Sequence, residues 1–127
     1  MAATPRDSLN ELTRKVIGCA MQVSNTLGCG FLEKVYENAL ALELRAQDLA
    51  ASQQRRVCVL YRDIAVGEYV ADLVVDETLL VELKVARALD AAHEAQCLNY
   101  MKAAGLPACL LFNFSRPRLD FRRLLAP

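Results

Sequence analysis

The chain has 127 residues, 54% of them hydrophobic and 24% charged, which is enough to bury one core and too apolar for a disordered segment. Fifteen basic and fifteen acidic residues cancel to zero net charge, which excludes a strongly cationic nucleic-acid sleeve but leaves room for a local basic patch. The five scattered cysteines form no CxxC or Cys/His cluster, so neither a zinc site nor a disulfide framework is expected. No apolar run approaches the roughly 20 residues of a membrane span, and the N-terminus is polar. A soluble, reduced, cytoplasmic chain forming a single domain over 1–127 is the expectation.

Ser8 or Asn10 is the candidate N-cap of a first helix in which Leu12, Val16, Ile17, Ala20, Met21, Val23 and Leu27 recur at helical spacing. Gly28-Cys29-Gly30 should end it. A second helix is predicted from about Leu32 to Leu49. It places Glu33 in its first turn and Tyr36 on the same face, three residues on. Each has an ordinary explanation when taken alone: the helix dipole favours an acid at Glu33, and Tyr36 suits a core aromatic.

Strands are predicted over Val57–Asp63, Val66–Val75 and Thr78–Val85, forming a meander. A three-residue loop of Asp76, Glu77 and Thr78 pairs Val75 with Leu79. Counting back then sets Asp72 opposite Glu82, with Lys84 two residues further along the same face. Leu73, Val75, Leu79, Val81 and Leu83 flank these charges, as in strands covered on both sides. Burying such charges costs several kcal/mol per ion unless they are paired or metal-bound. A salt-bridge cluster is one solution. The other is a site in which carboxylate oxygens hold Mg²⁺ and Lys84 offsets charge developing on phosphorus.

A third helix, Leu89 to Ala104, carries His93, Gln96 and Tyr100 on one stripe and stops at Gly105-Leu106-Pro107. That stripe suits a solvated face or one turned toward the carboxylates. His93, the only histidine, suits a catalytic base or a capping residue. Ala108–Phe114 reads as a buried strand and Leu119–Leu125 as an edge strand. The long crossover before Ala108 permits a parallel pair. The element order ααβββαββ describes an α/β fold, a mixed β-sheet flanked by helices.

Gly30-x-x-Glu33-x-x-Tyr36 resembles the signature of the bacterial GxxExxY proteins, within the PD-(D/E)XK nuclease-like superfamily. The likeness continues through Tyr36-Glu37-Asn38-Ala39-Leu40, Val66-Gly67-Glu68-Tyr69-Val70-Ala71-Asp72, Val81-Glu82-Leu83-Lys84, His93 to Tyr100, and Leu110 to Phe114. It implies a restriction-endonuclease-like core (αβββαβ) with an extra N-terminal helix. Asp72 and Glu82 would be metal ligands, joined by Glu33, for Mg²⁺ or Mn²⁺. Lys84 would be the catalytic lysine, and Gln96-x-x-x-Tyr100 would help place it and the substrate. Tyr36 and His93 are candidates for substrate positioning. Ala71 stands where many members have proline; the aspartate beside it carries the chemistry.

The activity implied is hydrolysis of nucleic acid, most simply DNA, with a homodimer or protein partner supplying selectivity. Arg55, Arg56, Arg62, Arg87, Lys102, Arg116, Arg118, Arg122 and Arg123 are candidates for phosphate contact or for a solvated surface. A non-catalytic nucleic-acid- or protein-binding module that retains the fold is the alternative.

Overall fold

Helix α1 (Pro5–Leu27) begins a turn earlier than its apolar pattern suggests, at a polar cap rather than a hydrophobic residue. In the computed structural model, which describes residues 4–127, the N-cap is Thr4 and not Ser8 or Asn10. Its hydroxyl accepts the Asp7 N–H while the Asp7 carboxylate accepts that of Thr4, and Pro5 fills the first helical position where no N–H is needed. Gly28, at φ 69°, ends α1 as expected. Helix α2 (Glu33–Ala46) stops three residues short of the predicted Leu49. Asp48 turns left-handed (φ 59°), and Leu49 drops into the core beneath α1 and α2.

Strand β1 (Ala51–Tyr61) starts six residues before the predicted Val57. Its first half, Gln53-Gln54-Arg55-Arg56, lacks the apolar alternation of a strand; Gln53 and Gln54 bond to α2, Arg55 to the β2–β3 turn, and Arg56 pairs with Glu68 of the next strand. Arg62 and Asp63, both at positive φ, form the two-residue turn to β2 (Ile64–Val75). The next turn has the expected length: Val75 pairs with Leu79, Val74 with Leu80 and Leu73 with Val81 of β3 (Leu79–Lys84). Helix α3 (Ala91–Ala104) then crosses over to β4 (Ala108–Asn113), which runs parallel to β3, and β5 (Asp120–Leu125) closes the edge antiparallel to β4. The sheet order is β1-β2-β3-β4-β5.

The architecture is thus the α/β fold expected, a mixed five-stranded sheet with helices on both faces. Helices α1 and α2 cover one face, packing Val16, Ala20, Leu40 and Leu44 on Leu73, Val75, Leu79, Val81, Leu83, Leu110 and Phe112. Helix α3 covers the other, with Cys97, Tyr100 and Met101 on Val74, Leu80, Cys109 and Leu111. Alternation along β3 therefore sends Leu83 toward α1 and α2, and Glu82 and Lys84 toward α3.

The β1–β2 ladder is interrupted once near this site. Gln53 pairs with Leu73 and Arg55 with Ala71, but the intervening Gln54 and Asp72 do not pair, and Gln54 is left-handed (φ 52°). The faces change over here. Gln53 and Leu73 lie on the α2 side, whereas Val57, Ala71 and Tyr69 lie on the α3 side, with the Tyr69 ring 4.7 Å from that of Tyr100. No helix among the described residues is long and apolar enough to cross a membrane.

Candidate active site

Where β2 parts from β3, the Leu83 N–H has lost its strand partner and the Asp72 carboxylate takes it, at 2.8 Å. Glu82 lies beside Asp72, only 3% exposed, and its Oε1 has no hydrogen-bond partner. Burial, then the Asp72 charge, push the Glu82 carboxyl up to about 10, so at neutral pH it holds a proton and donates it toward Asp72. A protonated carboxyl is thus buried beside Asp72.

Lys84 does not pair directly with either carboxyl. Among the described residues no ion pair joins it to Asp72 or Glu82. Its ammonium instead donates to Gln96 Oε1 at 2.8 Å, and the Gln96 amide donates to the Tyr100 hydroxyl at 3.2 Å. The i, i+4 spacing on α3 makes this relay possible, and the Tyr69 ring props Tyr100 from β2. Burial and the nearby Glu82 raise the Tyr100 pKa, so its hydroxyl stays neutral. A closed salt-bridge cluster is therefore not what these residues form.

Glu33 approaches from the first turn of α2. Burial and the Asp72 charge raise its pKa, while Lys84 and the Val85 N–H pull it down. The structure thus brings Asp72, Glu82, Lys84, Glu33, Gln96 and Tyr100 to one locus at the end of β3. Two other candidates serve elsewhere. Tyr36 is fully buried against Phe114, its hydroxyl donating to the Gly28 carbonyl at 2.7 Å and accepting the Phe31 N–H; it secures the α1–α2 loop and does not face the pocket. His93 caps α3: its Nδ1 accepts the Asp90 N–H while Asp90 accepts that of His93.

The basic candidates divide similarly. Arg55 is held by both oxygens of Glu77, and Arg122 by Asp120 and Glu94. Exposed Arg87, Arg116 and Arg118 sit on the two loops that follow β3 and β4, at the same end of the sheet as Lys84.

Some supporting residues escaped sequence reasoning. Asn113, fully buried, bonds the Ala86 N–H and carbonyl and the Ser115 N–H, which pins the segment after Lys84. A lone amide inside the apolar run Leu110 to Phe114 was the available signal. The Cys97 and Cys109 thiols share a hydrogen bond beside Glu82, and that bond, with burial, raises the Cys109 pKa.

The donor set fits a hard divalent cation. Asp72 and Glu82 offer carboxylate oxygens, and the unpartnered Glu82 Oε1 is the kind of buried acceptor a cation satisfies. Among the described residues no group of three or more His, Cys, Asp or Glu side chains is placed to hold a metal ion, so Glu33 does not join Asp72 and Glu82 as the expected third ligand. The pair would therefore leave positions for water and substrate, as Mg²⁺ prefers.

Residues 10–124 match the family described as "PD-(D/E)XK nuclease superfamily". Among solved structures the chain is similar to one titled "Crystal structure of SSO0001", with a TM-score of 0.59 and 17% identity over 74% of this chain, a likeness of fold alone. The match spans 50% of that longer chain. Among curated proteins, none matches.

Proposed function

This chain belongs to the PD-(D/E)XK nuclease superfamily, and on that premise we propose that it hydrolyses phosphodiester bonds of nucleic acid, most simply DNA, at the Asp72–Glu82–Lys84 site. The observation that carries this is the buried Glu82 carboxyl facing Asp72 with an oxygen left unpartnered. A fold buries a carboxyl with an unsatisfied oxygen at a cost unless a cation completes it. The signature around Glu33 and Tyr36 supports placing the chain in the GxxExxY branch.

Asp72 and Glu82 would hold Mg²⁺ or Mn²⁺, with Glu33 in reach of the same locus. A divalent ion bound there would supply Lewis acidity, drawing charge from a phosphoryl oxygen and making water a stronger acid. The residues themselves do the rest. Asp72 is aimed by the Leu83 N–H. Lys84, oriented by Gln96, has two further N–H groups to donate to an attacking water and to the charge building on phosphorus. Arg87, Arg116 and Arg118 on the flanking loops suit backbone phosphates, so recognition would follow the backbone rather than the bases. Selectivity would then come from a homodimer or protein partner. The free thiols of all five cysteines suit a cytoplasmic setting.

The deciding experiment compares wild type with Lys84→Ala on linear, circular, single-stranded and branched DNA, and on RNA, with Mg²⁺ or Mn²⁺. Metal-dependent cleavage by wild type alone is expected. Nucleic-acid binding without cleavage would instead support the non-catalytic module.

A further inference from the structure

Glu37 is a carboxylate of α2 that the site does not use, yet it is only 3% exposed and engaged on every side. Its Oε1 accepts from Gln54 at 2.7 Å and its Oε2 from Gln53 at 2.8 Å, while the Lys34 ammonium reaches both oxygens. Gln53 also donates to the Asn38 side chain. One helical turn of α2 thus grips two consecutive residues of β1 by their side chains.

The gripped position is an unusual one. Gln54 is left-handed in the middle of a strand, a conformation in which a Cβ crowds the following carbonyl. It stands at the interruption opposite Asp72, where the faces of β1 and β2 change over. Past that point β2 no longer pairs with β3, and the Asp72 side chain turns to the Leu83 N–H. A regular ladder through Gln54 and Asp72 would remove the change of face and re-aim the aspartate. A charge-assisted bond from Gln54 to a buried carboxylate is roughly twice as strong as a neutral one, which is enough to hold the strained residue in place.

We propose that Glu37 is a positioning residue for Asp72: it holds Gln54 in the left-handed conformation that interrupts the ladder and aims the Asp72 carboxylate at the site. The same helix then supplies Glu33 to the locus and, four residues on, the brace for the aspartate. The inference deepens the proposed nuclease site, but its geometry can be tested without metal.

The test uses Glu37→Gln, which keeps the shape and removes the charge, and Gln54→Gly, because glycine adopts positive φ freely and needs no brace. The first readout is amide hydrogen exchange at Leu83 in the metal-free protein, relative to Val81 on the same strand. The second is the Kd for Mn²⁺, followed by the electron spin resonance of the free ion. Glu37→Gln is expected to speed Leu83 exchange at least tenfold and to weaken Mn²⁺ binding at least tenfold. Gln54→Gly alone should change neither by more than about threefold, and Glu37→Gln/Gln54→Gly should return both to within about threefold of wild type, even if its melting temperature stays low. A role confined to fastening α2 to β1 would not be rescued by glycine in this way.

Unchanged Leu83 exchange in Glu37→Gln overturns the proposal, and so does a double variant as impaired as the single one. If exchange responds and is rescued while wild type binds no Mn²⁺, the brace stands and the nuclease reading falls.

Discussion

Replacing Glu82 by glutamine should make the metal-free protein more stable while ending its activity. Glu82 has an ordinary pKa near 4.5 in the unfolded chain and one of about 10 in the folded one. A carboxyl whose folded pKa is raised imposes no cost below the unfolded value, where both states hold the proton. It costs stability increasingly as pH climbs from 4.5 toward 10, because only the unfolded state can ionise. Each pH step in that window is worth about 1.4 kcal/mol, so the accumulated cost at pH 7 is about 3 kcal/mol. Glutamine removes the cost and can still donate to Asp72. Its second amide N–H, left without a partner, takes back about 1 kcal/mol. A net gain of about 2 kcal/mol at pH 7 follows, or roughly 8 °C in Tm. Urea melts of both proteins in chelator at pH 4.5, 6 and 7.5 should show the variant less stable by up to about 1 kcal/mol at the lowest pH and increasingly more stable than wild type as pH rises. Adding Mn²⁺ should stabilise wild type, more so at higher pH as Glu82 gives up its proton, and leave Glu82→Gln unmoved. A variant less stable than wild type at pH 7.5, or a gap independent of pH, would refute the reasoning. Either would mean that Glu82 is already ionised and held by positive charge within the fold.

Lys84→Ala should lower kcat by about 10²–10³ with little change in KM or in Mn²⁺ affinity, since the lysine serves the transition state; single-turnover cleavage and ion titration separate these effects. Tyr36→Phe strands the Gly28 carbonyl and Phe31 N–H, so urea melts should show a loss of about 1–2 kcal/mol while the folded variant keeps its turnover. His93→Ala removes half of a capping box and should cost about 0.5–1 kcal/mol, with a pH–rate profile matching wild type; a lost acid limb would restore histidine as a catalytic base.

Much of the fold and part of the site could be read directly from the chain, because the governing interactions are short in sequence. The three-residue turn Asp76–Thr78 determines the β2–β3 register, and register in turn decides which side chains share a face; the pairing of Val75 with Leu79 therefore carried the juxtaposition of Asp72 and Glu82 with it. Helical spacing likewise set Gln96 and Tyr100 one above the other. Tertiary contacts decided the rest. Strand β1 hid its first half because Gln53, Gln54 and Arg55 find partners on α2 and the β2–β3 turn, among them Glu37, Asn38 and Glu77, 15 to 22 residues away. The roles of Tyr36 and His93 turned on which backbone groups lay unsatisfied nearby, Gly28 and Phe31 for one and Asp90 for the other, and no periodicity records that. Whether Lys84 paired with a carboxylate or with Gln96 also depended on where α3 crossed the sheet. Hydrophobic pattern and turn length specify faces and registers through nearest neighbours along the chain, whereas the partner of a buried polar atom is settled only when distant segments close around it.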